Sequence, residues 1–147
     1  MTKEKSAGAI IFRIEKGEPL YLLLHYPSSA KAKEEYWDLA KGHIEKGEEE
    51  RDTVLREIQE ETGLSNVKLL PGFREEIHYW FQSGKQKISK TVVFYLVKTR
   101  QKEVAVSPEH IGFVWLPFQE AMQKLTFKNA KDVLDKAKKF LYKMYGF

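Results

Sequence analysis

Glu57, Glu60 and Glu61 stand three and four residues apart, a spacing that places all three carboxylates on one face if the segment is helical. Like charges at that spacing repel, folding does not require them, and Arg56 beside them cancels only part of the charge. Hard divalent cations take carboxylate oxygens. Mg²⁺ binds a few of them and completes its shell with water and substrate phosphate. Three carboxylates on one rigid face can therefore hold one or more such ions against a polyphosphate. Glycines at 42 and 47 let the preceding loop come close to metal or phosphate. The competing reading is a solvated acidic helix, and composition alone favours it slightly.

Charge is unevenly distributed along the 147 residues. The net charge is +4, yet the window 45–61 carries eight acids against three bases, leaving that window at −5 and the remainder at +9. An acidic block inside a basic chain suits metal binding next to a surface that attracts anions. The length fits one domain over 1–147, and an apolar share of 42% with 13% aromatic residues supplies a core. Disordered and collagen-like classes are excluded. No run approaches the roughly 20 apolar residues of a membrane span, and the opening Met-Thr-Lys-Glu-Lys lacks a signal peptide's apolar stretch. Zero Cys excludes disulfides, zinc clusters and thiol nucleophiles. The expectation is a soluble, cytoplasmic globule.

The elements that must position these carboxylates follow from periodicity. Residues 7–13 and 20–26 predict a hairpin, 27–35 a loop, and 36–39 a short apolar stretch. The helix is predicted over 48–62, with Val54, Leu55, Ile58 and Thr62 on one arc and Gly63 at the position after its end. Extended segments are predicted at 67–70, 73–81, 88–97 and 113–116, with Ser83-Gly84-Lys85 as the turn between the middle pair. Pro117 opens a short helix through Leu125. An amphipathic helix over 130–144, capped by Asn129, ends the chain. Phe12, Phe73, Phe94, Trp115 and Phe140 are assigned to the core, and His25 and His78 to partly buried structural positions. A mixed sheet with helices on its faces, an α/β arrangement, accounts for the pattern.

Residues 42–64 read Gly42, five residues, Glu48, seven residues, then Arg56-Glu57-Ile58-x-Glu60-Glu61-x-Gly63-Leu64. This resembles the Nudix box, the signature of hydrolases acting on nucleoside diphosphates linked to another group, and all nine specified positions match. The resemblance implies an α/β/α sandwich with a mixed sheet between helices, and attack of water on a phosphoanhydride with Mg²⁺ or Mn²⁺ as cofactor. It implies Glu57, Glu60 and Glu61 as metal ligands, Arg56 as the residue that orients them, and a more structural role for Glu48. The chemistry is coherent: a divalent ion neutralises non-bridging oxygens and activates water for in-line displacement, and a nearby carboxylate accepts the proton.

The resemblance extends over nearly the whole chain. Trp37-x-Leu39-x-Lys41-Gly42-His43, the stretch Gly72-Phe73-Arg74-Glu75-Glu76-Ile77-His78-Tyr79, Ser107-Pro108-Glu109-His110 leading into Trp115-Leu116, and Leu125-Thr126-Phe127-Lys128 are similar to asymmetric diadenosine tetraphosphate hydrolases of the animal and archaeal type, which release ATP and AMP. Ala40 departs from the proline common before Lys-Gly-His. The similarity implies Glu109 as a further metal ligand or the general base, and Glu60 and Glu109 both stand as candidate bases. It implies Lys41, His43 and Lys90 as phosphate-binding groups, Tyr79 and Phe127 as a base-stacking pair, and Tyr36 beside them. Each has a plainer alternative: a surface loop acid for Glu109, a solvent-facing strand residue for Lys90, a core position for Tyr79, a dock for the last helix for Phe127. The partner implied is a small-molecule dinucleoside polyphosphate, with an RNA 5′ end as the second candidate. No membrane partner is implied, and a monomer is expected. Other Nudix specificities, on nucleoside triphosphates or diphosphoinositol polyphosphates, share the box. A non-catalytic nucleotide-binding module ranks lower, because the glutamate set is complete.

Overall fold

A computed structural model describes residues 2–28 and 33–147. Strands β1 (Thr2–Glu15) and β2 (Glu18–Tyr26) form the hairpin. They are joined by Lys16 and Gly17, whose positive φ values of 52° and 80° give the two-residue turn that matches the twist of antiparallel strands. The sheet continues through β3 (Tyr36–Asp38), β4 (Ala40–His43), β5 (Val67–Ser83), β6 (Gln86–Thr99) and β7 (Gly112–Leu116). Its order is β3-β2-β1-β6-β5, with β4 also paired to β1 and β7 to β2. The β1–β6 pairing is parallel and the others antiparallel, so the sheet is mixed.

Both faces of the central strands are buried. Ile10 and Phe12 of β1, with Phe94 and Leu96 of β6, pack under α2 (Phe118–Lys124) and α3 (Lys128–Tyr145). Ala7, Ala9 and Ile11, with Val97, pack under Val54 and Ile58 of α1 (Glu50–Thr62). The result is the expected α/β/α sandwich. Gly8 lets β4 lie close against β1, since a Cβ there would stand 2.5 Å from the Ala40 carbonyl oxygen and 2.8 Å from the Lys41 Cβ. No described helix is long and apolar enough to cross a membrane.

Several boundaries differ from expectation for physical reasons. β1 begins at Thr2 instead of residue 7, because β6 offers a parallel partner from Ile88 onward even to the polar start of the chain. Residues 67–70 and 73–81 are one strand, interrupted only by a register irregularity between Leu69 and Arg74 where Gly72 takes a φ of 91°. Helix α1 starts at Glu50, and the Asp52 carboxylate reaches back to accept the Glu49 N–H at 3.0 Å. Its buried arc is Thr53, Val54, Ile58, Glu61 and Thr62, whereas Leu55 is exposed. Gly63 closes it in the left-handed conformation, as its place predicted. Helix α3 is capped at Phe127 and not at Asn129. Phe12, Phe73 and Phe94 are buried, while Trp115 and Phe140 are half-buried at the margins of the cores. His25 is half-buried and stacks on Trp37, whereas His78 is exposed and pairs with the Ser89 hydroxyl. Residues 29–32 of the 27–35 loop lie outside the described residues.

Candidate active site

The acidic face of α1 meets strand β4 across a very short gap. A Cβ on Gly42 would stand 2.0 Å from Cδ of Glu57, so glycine there is what lets the strand lie on that carboxylate. Gly47, by contrast, has open space around it and is needed for its φ of 85° in the turn closed by the Glu48 N–H to the Glu45 carbonyl.

Arg56 organises the acids. Its Nε and Nη2 donate to the two oxygens of Glu48 at 2.7 and 2.9 Å, a bidentate pair. Nη1 donates to Glu57 at 2.7 Å and Glu60 at 3.3 Å, and Nη2 also donates to the His43 carbonyl at 3.0 Å. The pairing with Arg56 holds the Glu48 carboxyl down to about 2 and raises the guanidinium's own pKa. Glu48 is thus the residue that anchors Arg56, consistent with the structural role that its place in the box suggests.

Glu57 and Glu61 behave differently. Burial pushes both carboxyls up, and repulsion from Glu61 and Glu60 adds to this at Glu57. At Glu61, contact with His110 and the Lys41 backbone opposes the rise, while Glu109 reinforces it. Glu61 is the most enclosed of the set: Oε1 accepts the Lys41 N–H at 3.0 Å, and Oε2 faces Nε2 of His110 at 3.1 Å. Glu60 is largely exposed, and Glu109 is exposed on the loop leading to β7. Among the described residues no three acids or histidines converge closely enough to share an ion. The reason is visible in the contacts: the Arg56 guanidinium sits between Glu57 and Glu60 and draws both toward itself. The donor chemistry nevertheless fits a hard cation. It consists only of carboxylate oxygens, the buried Glu61 and the half-buried Glu57 repel each other, and a divalent ion would relieve that repulsion.

A row of cations continues from this face along β4 and β6. Lys41 lies 3.2 Å from Asp38, whose other oxygen accepts the Leu39 N–H at 2.7 Å. Burial opposes the charged form of Lys41, but Asp38, Tyr79 and Tyr36 outweigh it and raise its pKa, so it is cationic. Lys90 is buried, not solvent-facing, with Nζ 3.1 Å from Nε2 of His43 and 3.5 Å from Glu4. Tyr79 is its register partner on β5. Tyr36 stacks on Tyr26 with centroids 4.8 Å apart and planes 1° from parallel, and tilts against Phe127 at 5.3 Å. Phe127 remains 42% exposed, so its ring is not consumed in docking α3. Tyr79 is half-buried against the larger core. A cavity of about 340 Å³ lined by Phe12, Lys68, Lys98 and Tyr145 lies toward the other end of β6 and shares none of these residues.

The structure brings Glu57, Glu61 and Arg56 together with Lys41, His43 and Lys90 adjoining, whereas Glu60 and Glu109, expected from the sequence in the same ligand set, lie at the exposed rim. Sequence reasoning missed Asp38, Glu4, Tyr26 and His110 as partners of these groups. Of these, only His110 carried a sequence signal, as the residue following Glu109 in Ser107-Pro108-Glu109-His110.

Comparison with known proteins agrees with this geometry. The NUDIX domain profile matches residues 2–137. The mouse bis(5′-nucleosyl)-tetraphosphatase (asymmetrical) is 35% identical over 147 residues, covering 93% of this chain and 95% of its own. The pig protein of the same name is 35% identical, with 95% and 97% covered. The crystal structure of a Caenorhabditis elegans Ap4A hydrolase binary complex superposes with a TM-score of 0.82 at 26% identity, covering 96% of this chain and 99% of that one. A complete box on the helix that faces the cationic strands, within a sandwich of this topology, has one reading: the chain belongs to the Nudix hydrolase family.

Proposed function

We propose that this pyrophosphohydrolase acts on dinucleoside polyphosphates, above all diadenosine tetraphosphate, releasing ATP and AMP with Mg²⁺ or Mn²⁺. The observation that carries the reading is adjacency. The carboxylates of α1, the basic side chains Lys41, His43 and Lys90, and the rings of Tyr36, Tyr79 and Phe127 follow one another across one region. A polyphosphate carrying a base needs those three zones in that succession.

In this reading Glu57, Glu60 and Glu61, with Glu109 from the loop before β7, hold the divalent ion. When bound, the ion neutralises developing charge on the phosphoryl oxygens and makes water a competent nucleophile. Arg56 keeps Glu57 and Glu60 close and is itself fixed by Glu48. Lys41 and Lys90 oppose the negative charge of the phosphate chain, and His43 contributes a hydrogen bond. Tyr79 and Phe127 offer flat faces to adenine, with Tyr36 beside Phe127. The exposed carboxylates, Glu60 and Glu109, are the ones placed to take a proton from water and pass it to solvent. A single-domain monomer is proposed, since every group given a role lies within one chain. A cytoplasmic location is proposed because a cysteine-free chain has no need of an oxidising compartment.

The test is Glu60→Gln and Glu61→Gln, with folding followed by circular dichroism. Turnover is expected to fall by about 10²-fold or more in each, and near-normal rates in both folded variants refute the mechanism. Hydrolysis of diadenosine tetraphosphate in ¹⁸O-water is expected to give ATP and AMP with label in one of them, whereas two ADP exclude asymmetric cleavage. Faster turnover of triphosphorylated RNA in the same panel would transfer the substrate assignment to RNA ends.

A further inference from the structure

His110 has no role in the reaction described above, yet its ring lies against the most enclosed carboxylate of the site. The side chain is wholly buried. Nε2 stands 3.1 Å from Oε2 of Glu61, off the line of a hydrogen bond and without another partner among the described residues. Nδ1 shares a hydrogen with the Ser107 hydroxyl at 2.9 Å, and Tyr26 closes the ring in edge-on at 4.5 Å. Burying an imidazole nitrogen without an aligned partner costs about 1–3 kcal/mol. A leucine would fill the same space without that penalty. Packing therefore does not account for a histidine here.

Its neighbours bind two parts of the site together. The Ser107 N–H donates to the Glu61 carbonyl at 3.2 Å, and the Ala105 N–H to the Thr62 carbonyl at 2.9 Å. The Ile111 N–H donates to the His25 carbonyl at 2.8 Å. The segment that carries Glu109 is thus strapped to the end of α1 on one side and to β2 on the other, with His110 as its side-chain link to Glu61. Both Glu61 oxygens have a near neighbour: Oε1 accepts the Lys41 N–H, and Oε2 lies 3.1 Å from the imidazole Nε2. Among the described residues Glu60 has only the longer Arg56 contact at 3.3 Å.

We propose that His110 is a positioning residue for metal binding: it fixes the rotamer of Glu61 and, through Ser107, keeps the Glu109 loop in register with the acidic helix. Partners that orient a ligand typically change metal affinity 10- to 100-fold when removed. This rests on the metal reading proposed above, and the experiment separates the two.

Mn²⁺ binding to the substrate-free protein is measured by electron paramagnetic resonance for wild type, His110→Leu, His110→Gln and Ser107→Ala. His110→Leu is expected to weaken binding about tenfold or more at unchanged or higher melting temperature. His110→Gln, whose amide can face Glu61, is expected to recover most of the loss, and Ser107→Ala to lose a few-fold. In turnover, the His110→Leu defect is expected to shrink as Mn²⁺ is raised, with KM for the nucleotide unchanged, which a general structural defect would not do. Wild-type affinity in folded His110→Leu overturns the proposal. If that variant does not fold, wild-type affinity in Ser107→Ala overturns it instead. A wild-type protein that takes up no Mn²⁺ overturns the metal reading and this inference with it.

Discussion

Replacing Gly42 by alanine should separate stability from catalysis within one methyl group. The added Cβ would stand 2.0 Å from Cδ of Glu57 and 2.1 and 2.5 Å from its two oxygens. Non-bonded carbons settle at about 3.5–4.0 Å, so the carboxylate must retreat by roughly 1.5–2 Å. Glu57 is the far end of a flexible side chain and can do so at little cost to the fold. Gly42 is not among the glycines with positive φ, so alanine brings no backbone strain, and the strand position favours alanine by about 0.5–1 kcal/mol. The retreat does, however, break the 2.7 Å contact with Arg56 and carry off a carboxylate assigned to the metal. A displacement of about 1 Å at a reacting centre costs about 10²-fold. The expected result is a melting temperature close to wild type, weakened Mn²⁺ binding, and kcat on diadenosine tetraphosphate reduced about 10²-fold. Gly47→Ala, in the turn between β4 and α1, is the control. Its surroundings are empty and its φ is 85°, so it should lose about 1 kcal/mol of stability through left-handed strain and keep its turnover. Turnover of Gly42→Ala within twofold of wild type would refute the claim that Glu57 must lie where it does.

The two aromatic rings assigned to adenine should affect affinity, not chemistry. Tyr79→Ala and Phe127→Ala are each expected to raise KM for diadenosine tetraphosphate by about tenfold, within the 1–3 kcal/mol typical of a stacked base, and unchanged KM in both would remove them from the site. Glu50 tests the electrostatics of the fold. It accepts two hydrogen bonds from Arg74 at 2.9 Å, one from Lys5 at 2.8 Å and one from Tyr95 at 2.7 Å, and these, Arg74 foremost, hold its carboxyl well below the usual range. A depressed carboxyl contributes stability above its unfolded pKa and loses it as pH falls through the folded value. Glu50→Gln should therefore cost about 1–2 kcal/mol at pH 7 after allowance for solvent screening, with the gap to wild type closing below about pH 4.5. A gap unchanged by acid, measured by urea titration, would contradict the assignment.

What the sequence disclosed and what it withheld divide along the distance over which each signal acts. Three glutamates at helical spacing, Gly63 at the helix end and the apolar stripe of α3 are local patterns, and each lies where periodicity put it, within a turn at the helix starts. The misplaced face of α1 is instructive: Leu55 was expected inward and is exposed, while Glu61 occupies the buried arc. Hydropathy assigns leucine to the core. A carboxylate can take that place only because the Lys41 N–H and the His110 ring, both remote in sequence, meet it there. The polar start of β1 gave no strand signal for the same reason, since its partner is β6, and that pairing alone brings Glu4 to Lys90. The chemistry of the site is therefore written in neighbours along one helix, whereas the groups that hold each carboxylate and cation in place come from strands and loops that only the sheet brings together. Substitutions at those supports, Gly42 and His110 above all, are accordingly the ones whose effects a motif cannot anticipate and the geometry can.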